Sequence, residues 1–417
     1  MSTVFLRNTV NYFSLLHDFI QKLPDILNFR LGLVWSSKRG LCYNKDGVIY
    51  HDREDQEMNE KKLRTGVAYY GNRMPSNAIL NMEEIARADI DIVVHMLTHI
   101  DWERNKNAMR EICRITKECG MEVWVDNWGL AGSPGETTYF LALHPEARMI
   151  FSNGEPHPKM PCMNNPDYRK FMHQWVEAAA EIGGETIFWD EPYIPTKRIV
   201  PGDASLSNRH YCCTCPSCKK KFEEQYDRPM PLLMDEDVVN FRALTVADYY
   251  REMTDHAAAL GMKNATCVMQ DGQVGINLSQ LPLLGALPHL DSLGSDPYWE
   301  HLHKTDAIPN DPYEYVYAKT KNSIEKSDAV GKDHNIWIQS YAHKNGREQE
   351  IFDAVHGAYD AGARTLLAWA FHGAESSQHA AENPMKVWNA TVEAFRRIKA
   401  KDRDRRLAEL RARYRNA

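Results

Sequence analysis

The stretch DYRKFMHQWVEAAAEIGGETIFWDEP, residues 167–192, contains one full unit of the pattern that decides the fold. Apolar residues recur with helical spacing from Phe171 to Ala179 and predict a helix over 167–182. Gly183 supplies the left-handed position that closes a helix. ETIFWD, over 185–190, is a short β-rich run that stops at Pro192.

The unit recurs in both directions. Similar runs are GVAYYG (66–71), IDIVVHML (90–97), MEVWVDN (121–127), NATCVMQ (264–270), LDSLGSD (290–296), NIWIQSY (335–341) and RTLLAWAF (364–371). Helical stretches lie between them at 104–118, 235–260, 312–328 and 347–361, and Gly120, Gly261 and Gly362 end three of these just before the next run. Eight β-runs alternating with helices predict the α/β class and a closed parallel (β/α)8 TIM barrel. The alternative, an open doubly wound sheet, usually carries a phosphate-binding glycine loop. Neither GxGxxG nor GxxxxGK[ST] occurs, and no organic cofactor is expected.

Three parts follow from this frame. Residues 1–60 form an extension, an amphipathic helix and then a hairpin from RLGLVW and GVIYHD. Residues 61–400 form the barrel, with an excursion at 192–234 after strand four, and residues 401–417 form a C-terminal helix. The chain has 417 residues, 50 Lys and Arg against 57 Asp and Glu, and 43% hydrophobic residues, which excludes a largely disordered chain. A net charge of −7 gives no basic field for nucleic acid, and the Arg- and Lys-rich end at 396–417 is read as a solvated helix. No run reaches the roughly 18 apolar residues of a membrane span. The N-terminus lacks the charged and apolar regions of a signal peptide, so a cytoplasmic protein without membrane contact is expected.

Active sites of such barrels lie at the C-terminal ends of the strands. Strand one ends near Asn72 and Arg73. Strand two brings His95 and His99, and strand three Asp126 and Trp128. Strand four brings Asp190 and Glu191, and strand five Gln270 and Asp271. Strand six brings Asp296, Tyr298 and Trp299, strand seven Gln339 and Tyr341, and strand eight Trp369, His372 and Glu375. Aromatic rings stack on the apolar faces of sugars, and carboxylates act at the anomeric carbon. This rim therefore points to a carbohydrate substrate. A lone strand-end aspartate also serves as a helix cap, a reading that applies to Asp296 before Pro297. Trp124 and Trp337 read as core. Asp190-Glu191, after an apolar strand and before a proline, reads as catalytic.

Nine cysteines are present, four of them at 212, 213, 215 and 218. Cys213, Cys215 and Cys218 are too close for disulfides among themselves but can wrap one tetrahedral ion. Cys162 or Cys212 supplies a fourth thiolate, and an all-sulfur set implies a structural zinc. Cys42, Cys113, Cys119 and Cys267 read as core residues.

The order PCMNNPDYRKFM, TIFWDEP, CCTCPSCKKKFEEQY resembles glycoside hydrolase family 42, the zinc-bearing β-galactosidases of clan A. The resemblance covers about residues 120–230 in detail. It implies a retaining mechanism with Glu191 as acid/base, zinc on Cys162, Cys213, Cys215 and Cys218, and a homo-oligomer, trimer or dimer. Two departures matter. Asp190 stands where the family has Asn, and strand seven reads NIWIQSYAH, with no nucleophilic Glu.

An Asp-Glu pair ending strand four also resembles the substrate-assisted β-N-acetylhexosaminidases. There the substrate's acetamido oxygen attacks the anomeric carbon, the Asp orients the acetamido group and the Glu protonates the leaving oxygen. That resemblance implies roles for Asp190 and Glu191. It makes Tyr298, Trp299, Tyr341 and Trp369 candidates for holding the acetamido group. The expected function is an exo-acting β-hexosidase, favoured as substrate-assisted, in which an ionised Asp190 raises the pKa of Glu191. Three alternatives stand beside it. One is a β-galactosidase-like or inverting hydrolase using Asp296 or Glu375 as second carboxylate. Another is a metal-dependent lyase or isomerase built on His95, His99, Asp126, Glu191 and Asp296. The third is a non-catalytic sugar-binding barrel.

Overall fold

β-Branched and aromatic residues favour extended backbone, and the runs rich in them form the staves of a closed barrel. The computed structural model describes residues 43–44, 47–48, 62–127, 139–190, 194–203, 205–268, 281–299 and 311–415. The barrel strands are β1 (Arg64–Tyr69), β2 (Ile92–Met96), β3 (Glu122–Asp126), β4 (Thr186–Trp189), β5 (Lys263–Cys267), β6 (Ser292–Ser295), β7 (Asp333–Gln339) and β8 (Thr365–Trp369). Each pairs in parallel with the next, and β8 closes on β1, so spatial order equals chain order. The fold is a (β/α)8 TIM barrel.

The helices after successive strands are α1 (Pro75–Arg87), α2 (Lys106–Glu118), α3 (Pro166–Glu181), α4 (Glu236–Ala259), α5 (Leu281–Gly285), α6 (Pro312–Ala329), α7 (Gln349–Asp360) and α8 (Pro384–Arg415). Gly120, Gly183, Gly261 and Gly362 adopt φ between 82° and 110°, the helix-closing role read from the sequence. α8 runs unbroken for 32 residues. The domain boundary expected at residue 400 therefore falls inside a helix, because no Gly or Pro interrupts 385–415.

Contacts divide the chain into Met1–Glu60 and Lys61–Ala417. In the first unit Tyr43–Asn44 pairs antiparallel with Gly47–Val48, while the expected N-terminal helix lies outside the described residues. No described helix is long and apolar enough to cross a membrane.

Side chains alternate across each barrel strand, and the alternation sorts the core into two layers. Val93, Val123, Ile187, Trp189 and Leu366 face the helices. Ala68, Ile92, Val94, Met96, Trp124, Phe188, Ala265, Cys267, Trp337 and Leu367 fill the barrel axis. Trp124 and Trp337 are core, as the sequence suggested, at 4% and 2% exposure. Phe188 lies 4.8 Å from Trp337 and 6.4 Å from Trp124, so aromatic rings form the floor under the mouth.

Candidate active site

The next inward position, at or just past the end of each strand, sets the mouth. Along β3, Trp124 points into the axis, and by the same alternation so does Asp126, which is fully buried. Phe188 on β4 points in, and so therefore does Asp190. Asp190 is fixed from several sides. Its N–H donates to Asn127 Oδ1 at 3.2 Å, the Trp189 carbonyl accepts from Thr266 Oγ1 at 2.6 Å, and the Trp189 indole donates to Asn264 Oδ1 at 3.0 Å.

Beyond β6, Asp296 and Tyr298 join the mouth. The Tyr298 N–H donates to the Asp296 carbonyl at 2.6 Å, a tight turn with no helix at Pro297, so Asp296 is not the helix cap that the sequence allowed. The Tyr298 ring meets Tyr341 edge-on at 5.3 Å. Burial, and then the charges of Asp296 and Asp190, push its phenol well above the ordinary range. The nearby Tyr250 phenol is raised by burial and by Asp190 and Asp126.

Trp369 is half-buried and stacks on Tyr70 at 5.3 Å and 19°. Tyr70 was missed in the sequence. β1 ends two residues earlier than its run suggested, which makes Tyr70, in phase with inward Ala68, the mouth residue. Arg73, expected at the rim, instead pairs with Asp101, which also closes a capping box with Thr98.

Several expected contacts are corrected. Gln339 is fully buried. Its amide oxygen accepts from the Trp299 N–H at 2.9 Å and its amide nitrogen donates to the Tyr341 carbonyl at 3.2 Å. Trp299 is only 1% exposed, and its indole donates to Glu350 at 3.0 Å. It packs in the helix-facing layer and offers no platform to a sugar, because the turn after Pro297 reverses its direction.

His372 and Glu375 also turn away. His372 and Gly373 have φ of 47° and 56°. His372 bonds Glu84 of α1 and Glu375, both at 3.0 Å, and Glu84 accepts from the Trp388 indole of α8 at 2.7 Å. Glu375 is thereby tied to His372, whose other ring nitrogen is held by Glu84. Glu191, Trp128, Gln270 and Asp271 lie outside the described residues.

The metal-dependent alternative loses its histidines. His95 faces the helices, where its Nε2 bonds Thr116 of α2 at 2.9 Å and its ring meets Tyr69 edge-on. His99 opens the short helix His99–Arg104 and stacks on Tyr139 at 3.7 Å.

Burial pushes the His95 pKa from 6.5 down to about 3. The unfolded chain then binds more protons, so stability is full above the unfolded pKa of 6.5 and falls as pH drops toward about 3. His95→Gln, which keeps a partner for Thr116, is expected to flatten the urea-measured stability profile between about pH 6.5 and pH 4. An unchanged acid slope contradicts that role.

The excursion after β4 and the segment between β3 and α3 together form a second centre. Strands Thr196–Arg198 and Arg209–Tyr211 make one hairpin, and Arg148–Ile150 and Pro156–Pro161 make another. A Phe151–Cys212 bridge and the Thr214 N–H bond to the Ile150 carbonyl, 2.8 Å, join the two. This brings the sulfurs of Cys162, Cys213, Cys215 and Cys218 within 4.8 Å of one another, all in buried residues. Cys162 lies 3.4 Å from Cys218 and 3.5 Å from Cys215, too far for disulfides and close to the ~3.8 Å edge of a tetrahedron with 2.3 Å metal–sulfur bonds.

Hydrogen bonding with Cys162, Cys213 and Cys218 pushes the Cys215 thiol below its ordinary range. The Asn164 N–H and side-chain amide point at the sulfurs of Cys162 and Cys218, each at 3.4 Å, and Lys221 holds the Asn164 oxygen at 2.9 Å. The choice between Cys162 and Cys212 falls to Cys162. Cys212 is outside the cluster, and burial raises its thiol.

No family model and no curated protein matches the chain. Solved structures do. The chain is similar to the catalytic domain of β-amylase from Paenibacillus polymyxa, with TM-score 0.54, 9% identity, and 80% of this chain and 98% of that one covered. It is similar to β-galactosidase from Bacillus circulans sp. alkalophilus, with TM-score 0.55, 12% identity, and 81% and 56% covered. A third match is endo-1,4-β-mannanase from Rhizomucor miehei, with TM-score 0.50, 10% identity, and 82% and 95% covered. The barrel fold is what they share. At these identities the likeness is one of architecture, and the chemistry has to be argued from the mouth itself.

Proposed function

We propose that the protein is a glycoside hydrolase acting on β-N-acetylhexosaminides by substrate assistance. Glu191 is the general acid/base and Asp190 orients the acetamido group. The observation that carries this reading is the state of the strand-seven position. Gln339 is fully buried and bonded to the main chain of Trp299 and Tyr341, so the position that bears the nucleophile in two-glutamate barrels holds no carboxylate. A substrate that supplies its own nucleophile needs none there. The names of the β-galactosidase and β-mannanase, which act on β-linked sugars, support the broader class of β-glycosidase.

The chemistry follows from the residues. The acetamido oxygen attacks the anomeric carbon while Glu191 gives its proton to the departing oxygen. The resulting carboxylate then takes a proton from water as it opens the cyclic intermediate. Asp190, held by Asn127, accepts from the acetamido N–H and balances the positive charge that develops on the ring. Tyr70 and Trp369 present a stacked pair to the sugar, and Tyr298 and Tyr341 continue the aromatic wall from the neighbouring strands β6 and β7.

Asp190→Asn is expected to lower kcat on 2-acetamido substrates about 10²–10³-fold with little change in KM. A thiazoline mimic of the cyclic intermediate is expected to bind the wild type at least ~10²-fold tighter than the product sugar. Full activity in the variant contradicts the assignment.

A second reading is inversion with Asp296 as base, Asp296 standing in the tight turn with Tyr298 just beyond β6. It predicts release of the α-anomer, which NMR of the first product distinguishes.

We further infer that Cys162, Cys213, Cys215 and Cys218 hold one structural zinc, whose bonding staples the excursion. The all-sulfur, fully buried donor set with N–H groups aimed at two of the sulfurs supports this. Such reduced thiols fit a cytoplasmic protein.

A further inference from the structure

We propose that the cavity between the short helix His99–Arg104, the segment 139–144 and the first half of α3 is an accessory saccharide site, separate from the mouth. That the sugar held there belongs to the enzyme's own substrate rests on the glycoside hydrolase reading. The cavity measures about 400 Å³, inside the range of roughly 300–1,000 Å³ usual for small-molecule sites. None of its lining residues belongs to a barrel strand. It is built on the flank, from the chain that follows β2 and from α3 with the chain that leads into it.

One wall is aromatic. His99 stacks on Tyr139 at 3.7 Å and 9°, and on Trp102 at 5.4 Å and 25°. Phe171 of α3 meets the His99 ring edge-on at 4.7 Å and lies 5.0 Å from Trp102. The Tyr139 hydroxyl donates to Glu103 of the short helix. His99 and Phe171 are buried, while Trp102 and Tyr139 keep exposed surface. The rings are thus set before a ligand arrives, which keeps the ordering cost of binding low.

The other wall is polar. Asp167, Lys170 and Gln174, at i, i+3 and i+7 on one face of α3, all line the cavity. Their side chains form no hydrogen bond or ion pair with another described residue. Asp167 accepts, Lys170 donates and Gln174 does both. An organic cation asks for acceptors alone, an anion for donors alone and an apolar ligand for neither. A pyranose asks for the mixture, because each hydroxyl both gives and takes a hydrogen bond while the ring's C–H face packs on aromatic surface.

The test uses the full chain with its mouth filled by the thiazoline, so that a second site alone remains. A panel of β-linked trisaccharides of N-acetylglucosamine, glucose, galactose and mannose is titrated by calorimetry and saturation-transfer NMR. At least one is expected to bind at one equivalent with Kd on the order of 1 mM or below. Trp102→Ala is expected to weaken that binding at least ~10-fold. Gln174→Ala, on the exposed face of α3, is expected to weaken it about 3–10-fold. In both variants thiazoline affinity and kcat/KM on aryl monosaccharides are expected to stay within ~2-fold of wild type.

No binding by any member of the panel overturns the proposal, as does binding that both variants leave intact. Binding of tetramethylammonium in place of the sugars overturns the saccharide class in favour of a cation cage. The thiazoline separates this claim from the functional one. If it fails to bind and 2-acetamido glycosides are not cleaved, the functional reading falls, and the panel titrated onto the unblocked chain and the two variants still decides the cavity.

Discussion

Glu191→Gln is expected to lower turnover of unactivated 2-acetamido-β-glycosides by about 10²–10⁴-fold. The amide is close in shape to the carboxyl group but cannot give a proton to the leaving oxygen. The size of the loss depends on the leaving group. A 2,4-dinitrophenolate departs without protonation, so the variant is expected to retain most of its bond-cleaving rate on that substrate while losing it on an alkyl glycoside. That contrast distinguishes a lost proton donor from a damaged fold, which slows both equally. Near-wild-type turnover on the alkyl glycoside removes Glu191 from the mechanism.

The second large effect is expected at the sulfur cluster. Cys215→Ser is expected to reduce bound zinc from one equivalent to below about 0.1 equivalent per chain. It is expected to cost on the order of 5 kcal/mol, a fall in Tm of roughly 6 °C for a chain of this length. The reason is geometric. The two hairpins around residues 148–161 and 196–211 meet through one bridge, a few main-chain bonds, a Lys197–Glu155 ion pair and side-chain bonds from Ser152 and Thr214, and the metal–sulfur bonds would add a covalent-strength link between them. Cys212→Ser, one residue outside the cluster, is the control and is expected to keep its metal. Equal metal content in Cys215→Ser and wild type contradicts a tetrathiolate site.

The barrel was legible because each strand is a short β-rich run and several of the helices, those before Gly120, Gly183, Gly261 and Gly362, close on a glycine with positive φ, signals that are local. Asp126 and Asp190 were legible for a similar reason. Each ends a run whose alternation can be counted, and the structure puts both in the inward phase. What could not be read depends on turns and tertiary contact. Trp299 follows a proline turn that breaks the count, and its indole finds Glu350 51 residues away. His372 sits in a left-handed turn that sends it to Glu84, 288 residues away.

Tyr70 was missed because the first run was set two residues too far along the chain, which moved attention to Asn72 and Arg73. The fourth thiolate lies 51 residues from Cys213 in sequence, a distance at which spacing cannot choose between Cys162 and an adjacent Cys212.

The most direct test of the account is hydrolysis of a panel of aryl β-glycosides, 2-acetamido and plain, by wild type and Glu191→Gln side by side. The account predicts cleavage confined to the 2-acetamido sugars and lost in the variant on substrates with poor leaving groups. Cleavage of plain galactosides or mannosides at comparable kcat/KM would contradict it, because those sugars carry no internal nucleophile and a protein carboxylate would have to take its place.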